Sequence, residues 1–168
     1  HPEHPCGLPS GGRSLDNALF PLPELGEWAK KIRNDGMRSP VMITETPLGG
    51  ATAPPSREVM SARTERNESG MGLALVAALL KGVLDRGIEP QTESRAIRLL
   101  KDETRVCGVS IKSGDSEKEV IARKGVIIAT GGFEWNPELV RTFLRGPMTA
   151  PVGNPENTGD GLEMAMEA

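Results

Sequence analysis

A chain of 168 residues can build one domain around its own core, and that core must be aliphatic because aromatic residues make up only 3% of the chain and tyrosine is absent. The net charge of −3 argues against a general nucleic-acid-binding protein, which normally presents a basic face. No apolar run approaches the roughly 18 residues of a membrane-spanning helix and no signal peptide is visible, so we expect no membrane partner.

The two cysteines, Cys6 and Cys107, lie far apart and match no CxxC pattern. Free thiols in a reducing compartment are the simplest interpretation, and they predict a cytoplasmic protein. His1 and His4 flank Glu3, but histidines beside prolines at a chain end are more simply solvated than metal-bound. We therefore predict no metal site.

Residues 1–62 form a segment rich in proline and glycine, which disfavours long helices and central strands. One short helix is predicted at 22–33, where Pro23 suits the first turn and apolar side chains recur on one face. A brief extended piece is predicted at 40–46. The rest of this segment is expected to be irregular.

Residues 63–168 are expected to form an α/β domain. A broad apolar helix is predicted at 70–86, followed by a strand at 88–93. Short polar turns join three β-rich runs, which predict a three-stranded antiparallel meander at 95–101, 105–112 and 117–122. A break in alternation around Gly108 indicates a β-bulge.

The most informative segment follows the meander. Apolar residues at 126–129 predict a buried strand that ends in the turn Thr130-Gly131-Gly132. These glycines lack the Cβ that would block a close approach of the backbone, and ligands of open α/β sheets bind beyond the carboxyl ends of strands. A tight turn without a ligand is the alternative. Two helices complete the prediction, at 137–144 and from about 158–161 onward.

The GxGxxG fingerprint of a dinucleotide-binding turn does not occur in the chain. Its nearest approach is Gly70-Met71-Gly72, which lacks the third glycine and a preceding apolar strand. A nicotinamide-dependent enzyme is therefore disfavoured.

Three motifs occur in a fixed order along the chain. They are the helix at 72–80 before a Gly-Ile pair, the strand and turn at 126–133, and Asn157-Thr158-Gly159-Asp160-Gly161-Leu162 before a helix rich in Met and Ala. In this order they resemble the fumarate reductase and 3-ketosteroid dehydrogenase family of flavoproteins. The likeness covers nearly the whole chain and is closest to ketosteroid-dehydrogenase-like members at 11–15 and 133–136.

The resemblance implies an FAD-dependent oxidoreductase built on an FAD/NAD(P)-binding-type α/β domain. Hydride would move between the flavin and a carbon–carbon bond of a small-molecule substrate, either steroid-like or a dicarboxylate. The residues implied to bind FAD are Ala96, by its main chain at the adenine end, Thr130, Gly131, Gly132 and Asp160. Asp160 can equally complement the N-terminus of the last helix, beside Thr158. No catalytic residue is assigned, because the family supplies its catalytic residues outside this span.

The family's first strand and glycine turn, its ribose-binding acid and its capping domain have no counterpart in the sequence, so we expect a piece of a longer protein. We expect the isolated chain to be inactive and not to bind FAD tightly. The strand at 126–129 and the apolar helix at 70–86 predict a homo-oligomer. The alternative function is a non-catalytic α/β module that self-associates and binds no cofactor on its own.

Overall fold

The computed structural model describes residues 17–32 and 39–168, which form two compact units, one within residues 1–90 and one at 91–168. Both histidines of the chain, Cys6 and the 11–15 motif lie outside the described residues. The predicted domain segments, 1–62 and 63–168, remain a prediction about domain organisation. None of the described helices is long and apolar enough to cross a membrane.

The first unit begins with strand β1, Phe20–Pro21, and a 3-10 helix, Leu22–Lys30. The sequence correctly predicts an amphipathic helix here but does not reveal that the helix is broken. Gly26 adopts a φ of 56° and divides the helix into two pieces. Its apolar face packs against helix α2, Met71–Leu84. The buried centre of this cluster consists of Leu22, Leu25 and Ala77.

Helix α1 spans Arg57–Glu65, and the side chain of Ser56 caps it by accepting a hydrogen bond from the backbone N–H of Val59 at 3.3 Å. Two residues after α1, strand β2, Glu68–Ser69, pairs antiparallel with β1. Because a ladder of two residues leaves almost no pattern in a sequence, this small sheet was not predicted.

Helix α2 confirms the apolar helix predicted at 70–86 and ends in a glycine cap. Gly87 has a φ of 69°, and its N–H donates to the carbonyl of Leu84 at 2.9 Å. The N–H of Ile88 reaches back to Val83 at 3.3 Å. These two bonds form a Schellman motif, which satisfies carbonyls at the end of the helix.

The prediction of an extended segment at 40–46 is wrong. Residues Ile43–Glu45 and Pro47–Gly49 form two short 3-10 turns instead. The physical reason is the carboxylate of Glu45, which folds back to accept the N–H of Met42 at 3.0 Å. Both its oxygens also accept hydrogen bonds from Arg63 of α1, each at 2.7 Å, and this fork holds the segment in a tight turn.

The Glu45–Arg63 pair makes stability depend on pH. The hydrogen bond from Arg63 lowers the pKa of Glu45 from 4.5 to about 2. A carboxylate with a depressed pKa stabilises the fold above pH 4.5, and this contribution is lost as the pH falls from 4.5 towards 2. We expect Glu45→Gln to lower the free energy of unfolding by about 1–2 kcal/mol at pH 7.

Urea unfolding of the wild type and the Glu45→Gln variant should measure a difference that shrinks steadily below pH 4.5. The matched control is Glu27→Gln, which removes a carboxylate whose ion pair with Lys30 is largely exposed, and it should change stability little. A difference for Glu45→Gln that stays constant from pH 7 to pH 2 would contradict this assignment.

The second unit contains the predicted meander. Strands β3, Arg95–Lys101, β4, Val106–Ser113, and β5, Ser116–Ile121, pair antiparallel in the order β3-β4-β5. The register shifts between Leu100, opposite Gly108, and Lys101, opposite Val106, so one residue is left over beside Gly108. This confirms the predicted bulge. A side chain at position 108 would meet the carbonyl oxygen of Val120 in β5.

The predictions of strands at 88–93 and 126–129 are wrong. Neither segment forms a ladder with any described strand. A strand exists only when a neighbour supplies partners for its N–H and C=O groups, and apolar composition alone does not provide that neighbour. Ile127 is accordingly 93% exposed.

The remaining helices are α3, Pro137–Phe143, and α4, Asp160–Glu167, both as predicted. Proline occupies the first turn of α3, where no N–H is required. Together with the meander, these elements confirm a mixed α/β fold. The loop between α3 and α4 and the segment before α3 bring the glycine motifs together.

Candidate functional site

Two glycine motifs that lie far apart in the sequence meet in the second unit. The N–H of Gly159 donates to the carbonyl of Gly132 at 3.1 Å, and the N–H of Trp135 donates to the carbonyl of Asn157 at 3.1 Å. These backbone bonds join the turn at 130–132 to the segment that begins α4. The two motifs therefore form one structural element, which we call the glycine junction, residues 130–135 and 157–161.

The glycine junction needs glycines because its two segments approach closely. Gly131 has a φ of 82°, and a Cβ there would meet the side-chain oxygen of Asn157. A Cβ on Gly161 would meet the hydroxyl of Thr130 and a methyl of Ile128. The close approach expected from the sequence is thus present, and part of it is between segments of the chain itself. Thr130, Gly131 and Gly132 remain exposed.

A polar pair that the sequence does not reveal, Glu134 and Asn157, links the two segments of the junction. The side-chain amide of Asn157 donates to Glu134 at 2.7 Å, and the carboxylate of Glu134 lies against Gly132 and Gly153. This hydrogen bond lowers the pKa of Glu134 and favours its charged form. Both residues belong to the quoted motifs, but only the fold reveals that they contact each other.

Asn136 connects helix α3 to the junction. Its side-chain oxygen accepts the N–H groups of Glu138 and Leu139 at 3.1 and 3.2 Å, which caps the helix. Its side-chain nitrogen donates to the carbonyl of Thr158 at 3.0 Å. One side chain thereby fixes the start of α3 relative to the start of α4.

Asp160 lies at the first position of α4, where its charge complements the helix N-terminus as expected. One carboxylate oxygen accepts the hydroxyl of Thr158 at 2.8 Å. The other accepts Nε of Arg95 at 2.9 Å and lies 2.8 Å from its Nη2. The Arg95 side chain is 72% exposed and that of Asp160 28% exposed, so this ion pair is open to exchange with solvent or a ligand.

Ala96 follows Arg95 in β3 and pairs with Ile111 of β4. The Arg95–Asp160 ion pair therefore brings the Ala96 strand beside the start of α4, and Gly161 brings Thr130 to the same helix turn. All five sequence-predicted site residues thus lie on elements that converge on the N-terminal turn of α4. Arg95 was missed because its partner lies 65 residues further along the chain.

Two clefts open beside these elements. The first, about 720 Å³, we call the polar cleft; its lining is largely charged and consists of Glu93, Ser94, Arg95, Lys112, Asn136, Glu156, Thr158, Asp160 and Glu163. The second, about 610 Å³, we call the apolar cleft; its lining consists of Glu134, Trp135, Pro137, Val140, Arg141, Leu144, Arg145, Gly146, Pro147, Met148 and Pro151. Both volumes lie in the range of roughly 300–1,000 Å³ usual for small-molecule sites.

The donor set fits the polar part of a nucleotide cofactor. Asp160 offers carboxylate oxygens to a sugar hydroxyl, and Arg95 and Lys112 offer cations to a phosphate. In the exposed turn at 130–132 only Thr130 carries a side chain, so a ligand can approach the backbone of the two glycines closely. Within 17–32 and 39–168, no cluster of His, Cys, Asp or Glu could hold a metal ion.

Comparisons with known proteins agree with this chemistry. The family model described as "FAD binding domain" matches residues 15–168. The chain is 34% identical to 4-oxocyclohexanecarboxylate 2-dehydrogenase of Sinomonas cyclohexanicum, over 95% of this chain and 28% of that protein. It is 29% identical to a 3-oxosteroid 1-dehydrogenase of Mycobacterium tuberculosis, over 96% of this chain and 32% of that protein.

Among solved structures, the fold is similar to that of 3-ketosteroid delta1-dehydrogenase from Sterolibacterium denitrificans. The TM-score is 0.72 at 24% identity, over 94% of this chain and 33% of the other. The chain therefore spans about a third of the length of the relatives that it matches.

Proposed function

Because the chain belongs to the FAD-binding-domain family that includes ketosteroid dehydrogenases and fumarate reductases, we propose that its second unit supplies one wall of an FAD site. Ala96, Thr130, Gly131, Gly132 and Asp160 are the residues proposed to contact the cofactor. The observation that supports this most is the glycine junction, which brings an exposed glycine turn and a helix-terminal carboxylate to one place.

When bound, FAD supplies the acceptor for hydride. The chain's own residues bind and orient it. The Asp160 carboxylate accepts a hydrogen bond from a cofactor hydroxyl, and Arg95 can leave Asp160 at little cost because surface ion pairs contribute only about 0–1 kcal/mol. Thr158 stays bound to the other carboxylate oxygen and keeps the side chain oriented.

The proposed reaction is hydride transfer between the flavin and a carbon–carbon bond of a ring ketone. Two relatives support this substrate class, because their names specify an oxocyclohexanecarboxylate and a 3-oxosteroid. A dicarboxylate is the second substrate class, supported by similarity to fumarate reductases of Shewanella frigidimarina. No described residue is assigned a catalytic role.

The Asp160→Asn variant tests the cofactor site. It keeps the size of the side chain but removes the charge, and we expect FAD affinity to fall about tenfold, as for loss of a charge-assisted hydrogen bond. We expect this chain to bind FAD with a dissociation constant above about 1 μM, because the GxGxxG fingerprint of a pyrophosphate turn does not occur in the given sequence. Titration of flavin fluorescence to concentrations well above micromolar therefore measures both affinities.

Asp115→Asn is the matched control, because it makes the same charge change in the exposed turn between β4 and β5. It should leave FAD affinity unchanged. Equal affinity in wild type and Asp160→Asn would refute the assigned role of this carboxylate. A sub-micromolar dissociation constant for the wild type would mean that the chain holds the cofactor phosphates tightly without a GxGxxG turn.

The alternative function, a self-associating module, is favoured by one observation. On α2, Leu75, Val76 and Leu79 are 49%, 52% and 63% exposed, and they form an apolar stripe at helical spacing. We propose that this stripe contributes to a homo-oligomer. Light scattering over a range of concentrations should give a mass that rises above 17.9 kDa. A constant mass of 17.9 kDa at high concentration would rule out self-association.

A further inference from the structure

We propose that the apolar cleft binds a ring-based substrate that carries a carboxylate, and that Arg141 and Arg145 recognise this carboxylate. This inference rests on the proposed function and narrows its substrate class. It selects an anionic ring ketone over a neutral one.

The walls suit a flat apolar body. The indole N–H of Trp135 donates to the carbonyl of Gly153 at 2.9 Å, which fixes the ring although it is 40% exposed. A held aromatic ring loses little side-chain freedom when a ligand packs on it. The other apolar walls are Pro137, Val140, Leu144, Pro147, Met148 and Pro151.

The charged groups of the cleft leave two cations available. Among the described residues that line the cleft, Glu134 is the only acid, and it is already hydrogen-bonded to Asn157. Arg141 lies 3.9 Å from Glu138, and both side chains are more than three-quarters exposed, so this contact contributes little. Arg145 makes no hydrogen bond or ion pair with the residues that the structure describes. An apolar cleft with two such cations favours an anion.

A guanidinium presents parallel N–H donors that match the two oxygens of a carboxylate. Because both arginines are exposed, water competes with this pairing, and the matched pair of hydrogen bonds rather than charge alone favours a carboxylate. A neutral ketone would leave both arginines without a partner in the cleft. The arrangement therefore distinguishes the two ring-ketone classes named by the relatives, oxocyclohexanecarboxylate and oxosteroid, by charge and not by ring size.

Calorimetry on the full chain tests the proposal with two probes of similar ring structure. One is a 3-oxosteroid with a carboxylate side chain, and the other is progesterone, its neutral counterpart. We expect the carboxylate to bind about tenfold more tightly or better, and we expect Arg145→Ala and Arg141→Ala each to remove most of that preference. Quenching of Trp135 fluorescence locates binding in the cleft; a Trp28→Phe background leaves Trp135 as the sole tryptophan of the chain.

Arg105→Ala is the control, because Arg105 pairs with Asp102 in the turn between β3 and β4 and does not line the cleft. It should leave the preference unchanged. Equal binding of both probes, binding of neither, or a preference that survives both arginine variants would overturn the proposal. The titrations contain no FAD, so their failure is distinct from a failure of the proposed cofactor site, which the Asp160→Asn titration measures.

Discussion

Gly131→Val is expected to reduce the affinity of the chain for FAD by tenfold or more, an estimate from the cost of backbone strain in a binding turn. The φ of 82° lies in the left-handed region, which a β-branched residue adopts only with strain. The new Cβ would also meet the amide oxygen of Asn157 and push it from Glu134. The junction would then lose both its turn and its internal hydrogen bond.

The matched control is Gly114→Val. Gly114 also has a positive φ, of 57°, and lies in the turn between β4 and β5 with no atom near its missing Cβ. It carries similar backbone strain at a position remote from the proposed site. Flavin fluorescence titration should separate the two variants. An equal loss in both would mean that general destabilisation, and not the glycine junction, controls binding.

Leu22→Ala is expected to lower the free energy of unfolding of the first unit by about 2–5 kcal/mol. Leu22 is fully buried and lies at the centre of the cluster with Leu25 and Ala77. Few other side chains of this unit are fully buried among the residues that the structure describes, so the cavity removes a large share of their packing. Urea unfolding followed by the fluorescence of Trp28, which packs against the same cluster, measures the loss.

Leu48→Ala removes the same atoms from a side chain that is 90% exposed, and it should change stability by less than about 0.5 kcal/mol. If both leucine variants lose the same stability, the cluster around Leu22 is not the core of the unit. If circular dichroism shows that the β-strand signal of the meander persists in Leu22→Ala, the second unit folds without the cluster around Leu22.

The elements that could be predicted are those whose signals are local. The meander follows from β-rich runs joined by two short polar turns, and its bulge from Gly108. Helix α2 follows from its apolar composition and from Gly87, and α3 from Asn136 and its first-turn proline. In each case, residues close in sequence determine the geometry.

The features that could not be predicted depend on distant partners. The apolar run at 126–129 forms no strand because no described neighbour pairs with it. Glu45 turns back because Arg63, 18 residues later, binds it. Of the site, the sequence identified both glycine motifs and Asp160, but not their backbone bonds or the partners of Asp160 and Gly131. Composition gives residue types, whereas contacts between segments depend on the fold.

The central claim is that the glycine junction and the Ala96 strand form an FAD wall, and amide chemical shifts of the isotopically labelled chain test it most directly. On titration with FAD, we expect the largest changes at Ala96, Gly131, Gly132 and Asp160, with small changes in α2. Shifts that cluster on α2 or in the first unit, with the junction unchanged, would contradict the claim.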